Sequence, residues 1–513
     1  MTIGIWVLGD QLWQEQAALA SCVDQRTTTP VLLIESRQQG RSLPYHRQKL
    51  VLVWSAMRHF AEELRQAGWP VTYAIAESFE VALRDWVTQQ GITELRVMVP
   101  SDRPLQRWLA ALALPCELAL VPNNHFLWDA ETFHAWAKGG TQLIMGNFYS
   151  TGRRRFQVLM EGKKPVGGRW SLDQDNRKPP KSGLNSPLPL WFEPDAITRA
   201  VMAIVEQDNG SQYGAIAPFG WAVTRSQALQ VLDYFIEHRL PTFGPYQDAM
   251  VTGQDTLWHA LLSPYLNLGL LHPLEVIRAA EAAYWDRQLP LNSVEGFIRQ
   301  VLGWREYMHC IYQHHVEDDY PQSNWFGHHE SLPAFFWDAQ KTDMNCLHQT
   351  LDQVERTGYA HHIQRLMILG NFALIAGLEP QAVEQWFHAA FIDAYDWVMQ
   401  TNVLGMGLFA DGGMLATKPY AASANYINKM SDYCKSCRYD HRDRYGDHAC
   451  PFNMFYWDFL DRHREKLQSQ GRMSFILKHL DKMTETERQT LRQKAQAWHD
   501  QTPKLASRAI DQP

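Results

Sequence analysis

The 513-residue sequence has no apolar run near the ~18 residues that cross a bilayer, so no membrane-spanning helix is expected. It also has no basic excess, because 55 acidic residues against 48 basic ones give a net charge of −7. Any nucleic-acid binding must therefore come from a local basic surface. Seven cysteines, an odd number, and no charged-then-apolar leader predict a reducing cytoplasm and not a disulfide framework.

What the chain does contain is apolar and aromatic mass. Hydrophobic residues make up 45% of the sequence, which is enough for two or more cores. The 20 tryptophans fit either a large aromatic core or surfaces on which a planar cofactor or bases stack.

Three cysteines near the C-terminal end, Cys434, Cys437 and Cys450, can converge on one metal centre from a turn and the loop behind it. Three thiolates do not close a tetrahedral or cluster site, so a fourth ligand is required. Cys346 is the best remaining cysteine for that role.

The kind of metal stays open on spacing alone. His441 and His448 lie in the loop before Cys450 and could complete a zinc site. The dipeptide Cys450-Pro451 occurs in some iron–sulfur motifs and favours a cluster. The alternative to any metal is a set of incidental reduced cysteines.

The first part of the chain alternates short apolar runs with helical patterns. Runs at residues 3–8, 31–34, 71–76, 95–99 and 118–121 predict five strands, and a helical stripe over 48–67 ends at Gly68. Strands joined by helices make a parallel, doubly wound sheet, here assigned to residues 1–130. Asp10 and Glu35 fall at the carboxyl ends of strands, where such sheets bind ligands, and they either hold a small ligand or cap loops. No G-x-G-x-x-G motif is present, so a dinucleotide is not supported.

Residues 131–225 have the texture of a long connection. Nine basic residues against three acidic ones lie between positions 152 and 181, interleaved with glycine, proline and aromatics. The stretch is either a solvated linker or a loop that binds phosphates, in which case the contacting residues would be Arg153, Arg154, Arg155, Lys163 and Lys164.

From residue 226 to 513 the pattern is helical, and here the sequence carries motifs of a known family. Leu-Ser-Pro-Tyr-Leu at 262–266, the segment 297–306, Gly-Tyr-Ala-His-His at 358–362 and Phe-Ala-Asp-Gly-Gly at 409–413 accompany the four cysteines. Together they resemble the iron–sulfur bacterial cryptochromes and photolyases, the prokaryotic (6-4) photolyases, over nearly the whole chain.

The resemblance implies an α/β antenna domain, a long linker and an all-helical FAD-binding domain with a [4Fe-4S] cluster held by Cys346, Cys434, Cys437 and Cys450. It implies a 6,7-dimethyl-8-ribityllumazine antenna, with Asp10 and Glu35 at matching positions. The residues that match flavin contacts are Tyr246, His259, Ser263, Tyr265, Asn267, Glu295, Arg299, Arg305, Asp393, Asp396 and Met399. Met399 stands where the family usually has a polar side chain facing flavin N5, and a thioether accepts hydrogen bonds poorly.

The implied reaction is light-driven repair of (6-4) photoproducts in UV-damaged DNA by a monomeric enzyme. The rearrangement needs a proton donor, for which His361 and His362, expected on one helix, are the candidates. Trp386 and Tyr426, with Trp337 as a weaker match, would pass electrons to the flavin.

Two other functions remain open on sequence. One is a cryptochrome-type blue-light photoreceptor that uses the same scaffold without repair. The other is a light-independent nucleic-acid-binding protein with a structural metal. Repair is favoured because the histidine pair and the basic stretch are both present.

Overall fold

The computed structural model describes residues 2–138, 143–181, 183–207, 212–468 and 471–504. The N-terminal unit is a five-stranded sheet with β1 Ile3–Val7, β2 Val31–Ser36, β3 Val71–Ala76, β4 Glu94–Met98 and β5 Glu117–Val121. Its helices are α1 Ala17–Ala20, α2 Arg37–Arg41, α3 Arg47–Gln66, α4 Phe79–Gln90 and α5 Arg103–Ala111.

The strand order is β3-β2-β1-β4-β5 and every pairing is parallel, which confirms the doubly wound sheet. In β1, Ile5 and Val7 join the core under α3, whereas Trp6 faces the opposite core under α4 and α5. This alternation follows from the two-residue period of a strand. Because both faces are covered by helices, the strands are apolar throughout.

The connection is more structured than the sequence predicts. Two helices, α6 Ala130–Lys138 and α7 Met145–Phe156, precede a short hairpin of β6 Met160–Glu161 and β7 Lys164–Pro165. A third helix, α8 Ala196–Gln207, packs on α3 of the sheet unit. The three arginines at 153–155 thus end a helix and do not lie in a loop.

The remainder is helical, as expected. Its α-helices are α9 Arg225–Tyr234, α10 Leu240–Tyr246, α11 Ser263–Leu268, α12 Pro273–Arg287, α13 Leu291–Ile298, α14 Glu306–His314, α15 Asn345–Thr357, α16 Asn371–Ile375, α17 Pro380–Ala390, α18 Asp396–Met399, α19 Ala424–Met430, α20 Pro451–Arg462, α21 Arg464–Gln468, α22 Ser474–Leu480 and α23 Glu485–Gln501. No helix among the described residues is long and apolar enough to cross a membrane.

Four π-helical segments interrupt these helices, at Phe235–Arg239, Arg299–Arg305, Gln364–Gly370 and Gln400–Gly407. The first two join α9 to α10 and α13 to α14 without a break. A π turn widens a helix and shifts the register of the side chains that follow, and such turns are frequent at functional sites. Each of the four adjoins residues that the sequence assigns to the site.

The sheet unit is fixed to the helical unit by buried polar contacts. The backbone N–H of Arg103 donates to the Tyr312 hydroxyl at 2.8 Å, and Trp397 N–H donates to the Asp102 carboxylate at 3.0 Å. Leu12 N–H donates to the Leu268 carbonyl at 2.8 Å. The carboxyl edge of the sheet therefore faces the helical unit.

Candidate functional site

The two adjacent histidines have unlike surroundings. His361 lies before the helical segment that His362 opens, so the expectation that both stand on one helix is wrong. His361 is buried, and its ring stacks on His259 with centroids 4.5 Å apart and planes 11° from parallel. Among the described residues neither ring nitrogen of His361 has a hydrogen-bond partner. Burial holds the pKa of His361 well below its ordinary value, so its imidazole is neutral.

His362 faces outward, with 45% of its side chain exposed. Its Nε2 lies 3.3 Å from Asp248 Oδ1, and its ring meets His259 edge-on at 5.4 Å. Burial, reinforced by the charge of Asp248, raises the pKa of Tyr426, which places that phenol near the same opening. A carboxylate beside an exposed imidazole stabilises its protonated form. The opening thus presents a group able to donate a proton.

Behind the histidines, four polar residues form one hydrogen-bonded group. Arg365 makes a paired ion bridge to Asp393 at 2.9 and 3.1 Å. Ser263 donates to the same carboxylate at 2.6 Å, and Asn267 donates to the Asp393 carbonyl at 2.9 Å. The structure therefore brings three predicted cofactor residues together around an arginine that the sequence reasoning missed.

Arg365 had a signal in the sequence. It follows His362 by three residues, so it falls on the same helical segment, inside a motif that was already singled out. Its guanidinium lies 4.2 Å from the Phe391 ring centroid, and its Nε donates to the Ala360 carbonyl at 2.6 Å. These contacts orient Arg365 toward the segment that carries the histidines.

Glu295 and Arg299 lie together at the connection. Arg299 binds Asp173 at 2.7 Å, and its Nε is 3.4 Å from Glu295 Oε1. Glu295 Oε2 accepts from Leu172 N–H at 2.9 Å. Glu295 Oε1 and Arg299 Nε are buried without a hydrogen-bond partner among the described residues. The pair anchors the connection to α13 and keeps polar atoms available for a ligand.

The other predicted cofactor residues are spread more widely. Tyr246 stacks on Trp258 at 5.4 Å, while the Tyr265 hydroxyl accepts from Ala222 N–H at 3.1 Å inside the core. Met399 is buried at the end of α18, within the main hydrophobic core of the helical unit. None of these three residues shares a printed hydrogen bond with the Asp393 group.

Arg305 and Asp396 lie where the two units meet. Arg305 donates to Glu306 at 2.9 Å and its guanidinium lies 4.4 Å from the Phe126 ring centroid. The Asp396 carboxylate accepts from Tyr312 and from Gln400. Both residues therefore have protein partners that are separate from the Asp393 group.

The three predicted electron-transfer residues are not in contact with one another. Trp386 is buried, donates to the Phe336 carbonyl at 2.8 Å, and meets Phe391 edge-on at 5.7 Å. Trp337 packs edge-on against Tyr213 at 5.2 Å. Phe391 also contacts Arg365, so Trp386 lies one aromatic ring away from the Arg365–Asp393 pair.

The four predicted metal ligands converge from two helix starts and one turn. Cys346 lies in the first turn of α15, Cys450 caps the start of α20, and Cys434 and Cys437 belong to a 3₁₀ turn and its end. Burial, together with the other three thiols, raises the pKa of Cys346. Asn345 donates to the Tyr433 carbonyl at 2.8 Å and ties α15 to the turn.

The loop histidines stay outside this cysteine group. His448 is exposed, and His441 Nδ1 lies 3.8 Å from Asp440. Among the described residues, the sets of three or more ligand atoms lying within 4.8 Å of one another contain no cysteine. The thiols are therefore neighbours with wider spacing than a single small ion would impose.

The two predicted antenna residues have different environments. Glu35 is buried and accepts from Arg58 twice at 3.0 Å and from Tyr73 at 2.8 Å. Burial raises the pKa of Asp10 to about 6, an effect opposed by a hydrogen bond from Ser101. Glu35 is thus saturated by protein donors, whereas Asp10 faces the boundary between the units.

The prediction that Arg153 contacts DNA is wrong. Its side chain is fully buried and donates to the carbonyls of Val158 and Leu159, and to that of Trp170 at 3.1 Å. Arg154, Arg155, Lys163 and Lys164 are exposed. Arg154 lies over the Trp170 ring at 4.1 Å and Arg155 lies 3.8 Å from Asp129. Four of the five predicted cations can therefore reach a ligand.

Comparison with known proteins fits this architecture. Residues 5–221 match the family model described as deoxyribodipyrimidine photo-lyase-related protein. A bacterial class III photolyase from Agrobacterium tumefaciens aligns with a TM-score of 0.57 at 17% identity, covering 82% of this chain and 81% of that one. The cryptochrome of Synechocystis sp. PCC6803 aligns at 0.54 and 15% identity, covering 79% and 82%. The fold is that of the photolyases and cryptochromes.

A (6-4) photolyase from Agrobacterium fabrum is 44% identical to this chain over 502 residues, 96% of the chain and 98% of the relative. The chain therefore belongs to the bacterial (6-4) photolyase family, and the recognition made from its motifs is confirmed.

Proposed function

We propose that this chain repairs (6-4) photoproducts in DNA in a light-driven reaction. The observation that carries the proposal is the pairing of an outward imidazole, His362, with a carboxylate, Asp248, at an opening whose floor leads to the Arg365–Asp393 group. A flipped lesion would enter that opening, because a base cannot react inside the stack. The same reaction is named for the relative that covers nearly the full chain.

Membership of the family implies FAD as cofactor. Buried polar atoms without partners among the described residues, on Glu295, Arg299, Gln247 and His361, supply donors and acceptors that such a ligand would satisfy. Ser263 and Asn267, already oriented by Asp393, are the further residues that would hold it. When bound and reduced, FAD would supply the electron that light drives into the lesion.

The protein's own contribution is proton transfer. His361, neutral and fixed by its stack on His259, positions the lesion. His362 donates the proton, since it is exposed and has Asp248 to stabilise its charge. This assignment follows the lean of the sequence argument toward His362 and gives His361 a positioning role.

We propose a [4Fe-4S] cluster at Cys346, Cys434, Cys437 and Cys450. A tetrahedral zinc ion with thiolates at about 2.3 Å would hold the sulfurs within about 4 Å of one another. The wider spacing of these thiols suits a cluster, whose irons are bound separately. Two of the cysteines lie at helix N-termini, where the helix dipole stabilises an anionic group.

DNA, pigment and setting complete the proposal. Arg154, Arg155, Lys163 and Lys164 form the exposed basic surface for phosphates. A ribityl lumazine is proposed as the antenna at the carboxyl edge of the sheet, near Asp10. The proposed state is a monomer in the cytoplasm, in keeping with an odd number of cysteines.

The test is repair of a defined (6-4) oligonucleotide by the reduced protein under blue light. Restored pyrimidines in the light and none in the dark support the enzyme. The second candidate, a photoreceptor, is favoured if the flavin photoreduces while bound lesions persist.

A further inference from the structure

A second group of ligand-type side chains lies away from the histidine opening. Glu384 and His388 stand four residues apart on α17, and therefore on one face of that helix. Asp396, in the first turn of α18, meets them. One ligand atom from each of the three residues lies within 4.8 Å of the others.

The atoms of this group are poised toward an absent partner. Glu384 Oε1 is buried and has no hydrogen-bond partner among the described residues. His388 Nδ1 lies 3.9 Å from it, which is beyond hydrogen-bonding distance. A buried carboxylate oxygen without a donor is costly unless a ligand satisfies it.

We propose that Glu384, His388 and Asp396 bind a divalent transition-metal cation at the boundary between the sheet unit and the helical unit. Two carboxylates and an imidazole are ligands that Mn²⁺, Fe²⁺ and Zn²⁺ accept. An ion with ligands at about 2.1 Å needs donor atoms about 3 Å apart, so small side-chain movements close the site.

Neighbouring residues supply the support that metal ligands require. Tyr312 and Gln400 donate to the Asp396 carboxylate and fix its orientation. Carboxylate ligands are usually held in this way by outer donors. Burial holds the pKa of His388 well below its ordinary value, which leaves the neutral imidazole that binds metals.

The local charge also favours a cation. Burial and the acids Asp396 and Asp102 raise the pKa of Glu384 to about 8. Asp102 and Asp10, from the sheet unit, add to the same negative region. The opposing cation is Lys49, which donates to the His388 carbonyl at 3.0 Å, and burial lowers its pKa to about 7. A bound cation would neutralise acids from both units at once.

The experiment is titration of the purified holoprotein with Mn²⁺ at pH 7.5, with free Mn²⁺ read by electron paramagnetic resonance. Wild type should hold one Mn²⁺ that Glu384→Gln, which keeps the shape of the side chain, binds at least tenfold more weakly. His388→Gln should lose the same ion, and circular dichroism checks that both variants fold. His362→Asn, at the separate histidine group, is the control that should retain it.

Mn²⁺ should also raise the thermal unfolding temperature of wild type and leave that of Glu384→Gln unchanged, because a ligand stabilises only the state it binds. Mn²⁺ binding that is equal in wild type and both variants would overturn the proposal. So would loss of the ion in His362→Asn alone, or no binding by wild type up to about 1 mM. Repair activity does not enter these readouts, so the outcome is independent of the proposed reaction.

Discussion

Two histidines that are neighbours in sequence play different parts because burial separates them. His361 lies against His259 in a dry environment, while His362 meets solvent and Asp248. Desolvation disfavours the charged form of a buried imidazole, and a nearby carboxylate favours it. The two positions therefore differ in protonation, and a single substitution at each separates positioning from proton donation.

His362→Asn should fold and keep its flavin, but repair should fall by about 10²–10⁴-fold, the contribution of one general acid. Lesion binding should change by only about 1–2 kcal/mol, since one hydrogen bond is lost. Single-flash repair yield and lesion Kd measure the two effects. Repair at the wild-type rate would assign the donor to another group.

His361→Asn should instead weaken lesion binding and lower the repair yield without moving the pH profile of repair. Asp248→Asn should shift that profile, because His362 loses the carboxylate that stabilises its charge. Yield against pH from 6 to 9 distinguishes the two variants. A profile that moves in His361→Asn and not in Asp248→Asn would reverse the assignment.

At this scale the sequence predicts residue types well and environments poorly. The motif at 358–362 identified the histidines, but nothing in it indicated that one is stacked and neutral. Arg153, Arg154 and Arg155 are indistinguishable as letters, yet the turn at the end of α7 directs Arg153 into backbone carbonyls. Such differences arise from tertiary packing, which a linear pattern does not record.

Among the helices and strands, α3 carries a pH-sensitive cap. His46 precedes the helix, and its Nδ1 accepts from Gln48 N–H at 3.1 Å while its Nε2 donates to the Glu355 carbonyl at 3.1 Å. A β-carbon at Gly214 would overlap the imidazole, so glycine with φ 76° is required there. Burial lowers the pKa of His46 to about 4.

The sign of the pH effect follows. The folded pKa of His46 lies below the unfolded value of 6.5, so the unfolded chain takes up a proton first as pH falls. This residue should cost about 3 kcal/mol of unfolding free energy between pH 6.5 and 4. His46→Asn keeps a capping oxygen and should lose that part of the slope in denaturant titrations. An unchanged slope would place the acid sensitivity in other histidines.

The cysteine site depends on two helix starts and one turn. Cys346→Ser should yield protein poor in iron and lower in thermal stability, because the cluster links α15 to α20 across a long loop. Iron content and visible absorption measure this, with Cys116→Ser, a half-buried cysteine outside the site, as the matched control. Stoichiometric zinc without broad visible absorption would contradict the cluster.

The strands and most helices could be predicted from apolar periodicity, since a buried parallel sheet requires apolar runs. The π segments could not, because a widened turn has no distinct periodicity. Helix α7 was hidden by its glycines and arginines, which favour a loop in sequence alone. Its helical state comes from packing on the segment Arg299–Arg305.

Across the whole molecule, the basic surface can be tested with two adjacent residues. Arg154→Gln should weaken binding of damaged and undamaged duplex alike and lower the salt slope by about one. Arg153→Gln should leave that slope unchanged and reduce stability, since it leaves buried carbonyls without a donor. Fluorescence anisotropy over a salt series measures binding, and thermal melting measures stability. The reverse pattern would contradict the placement of Arg153 inside and Arg154 outside.

The central claim is that this fold performs repair and does not only sense light. The most direct measurement is chromatography of an oligonucleotide with one (6-4) photoproduct after blue-light exposure with the reduced protein. We expect light-dependent return of intact pyrimidines, none in the dark, and strongly reduced yield with His362→Asn. A wild-type protein that binds the lesion and photoreduces its flavin, yet restores no pyrimidine, would contradict the account.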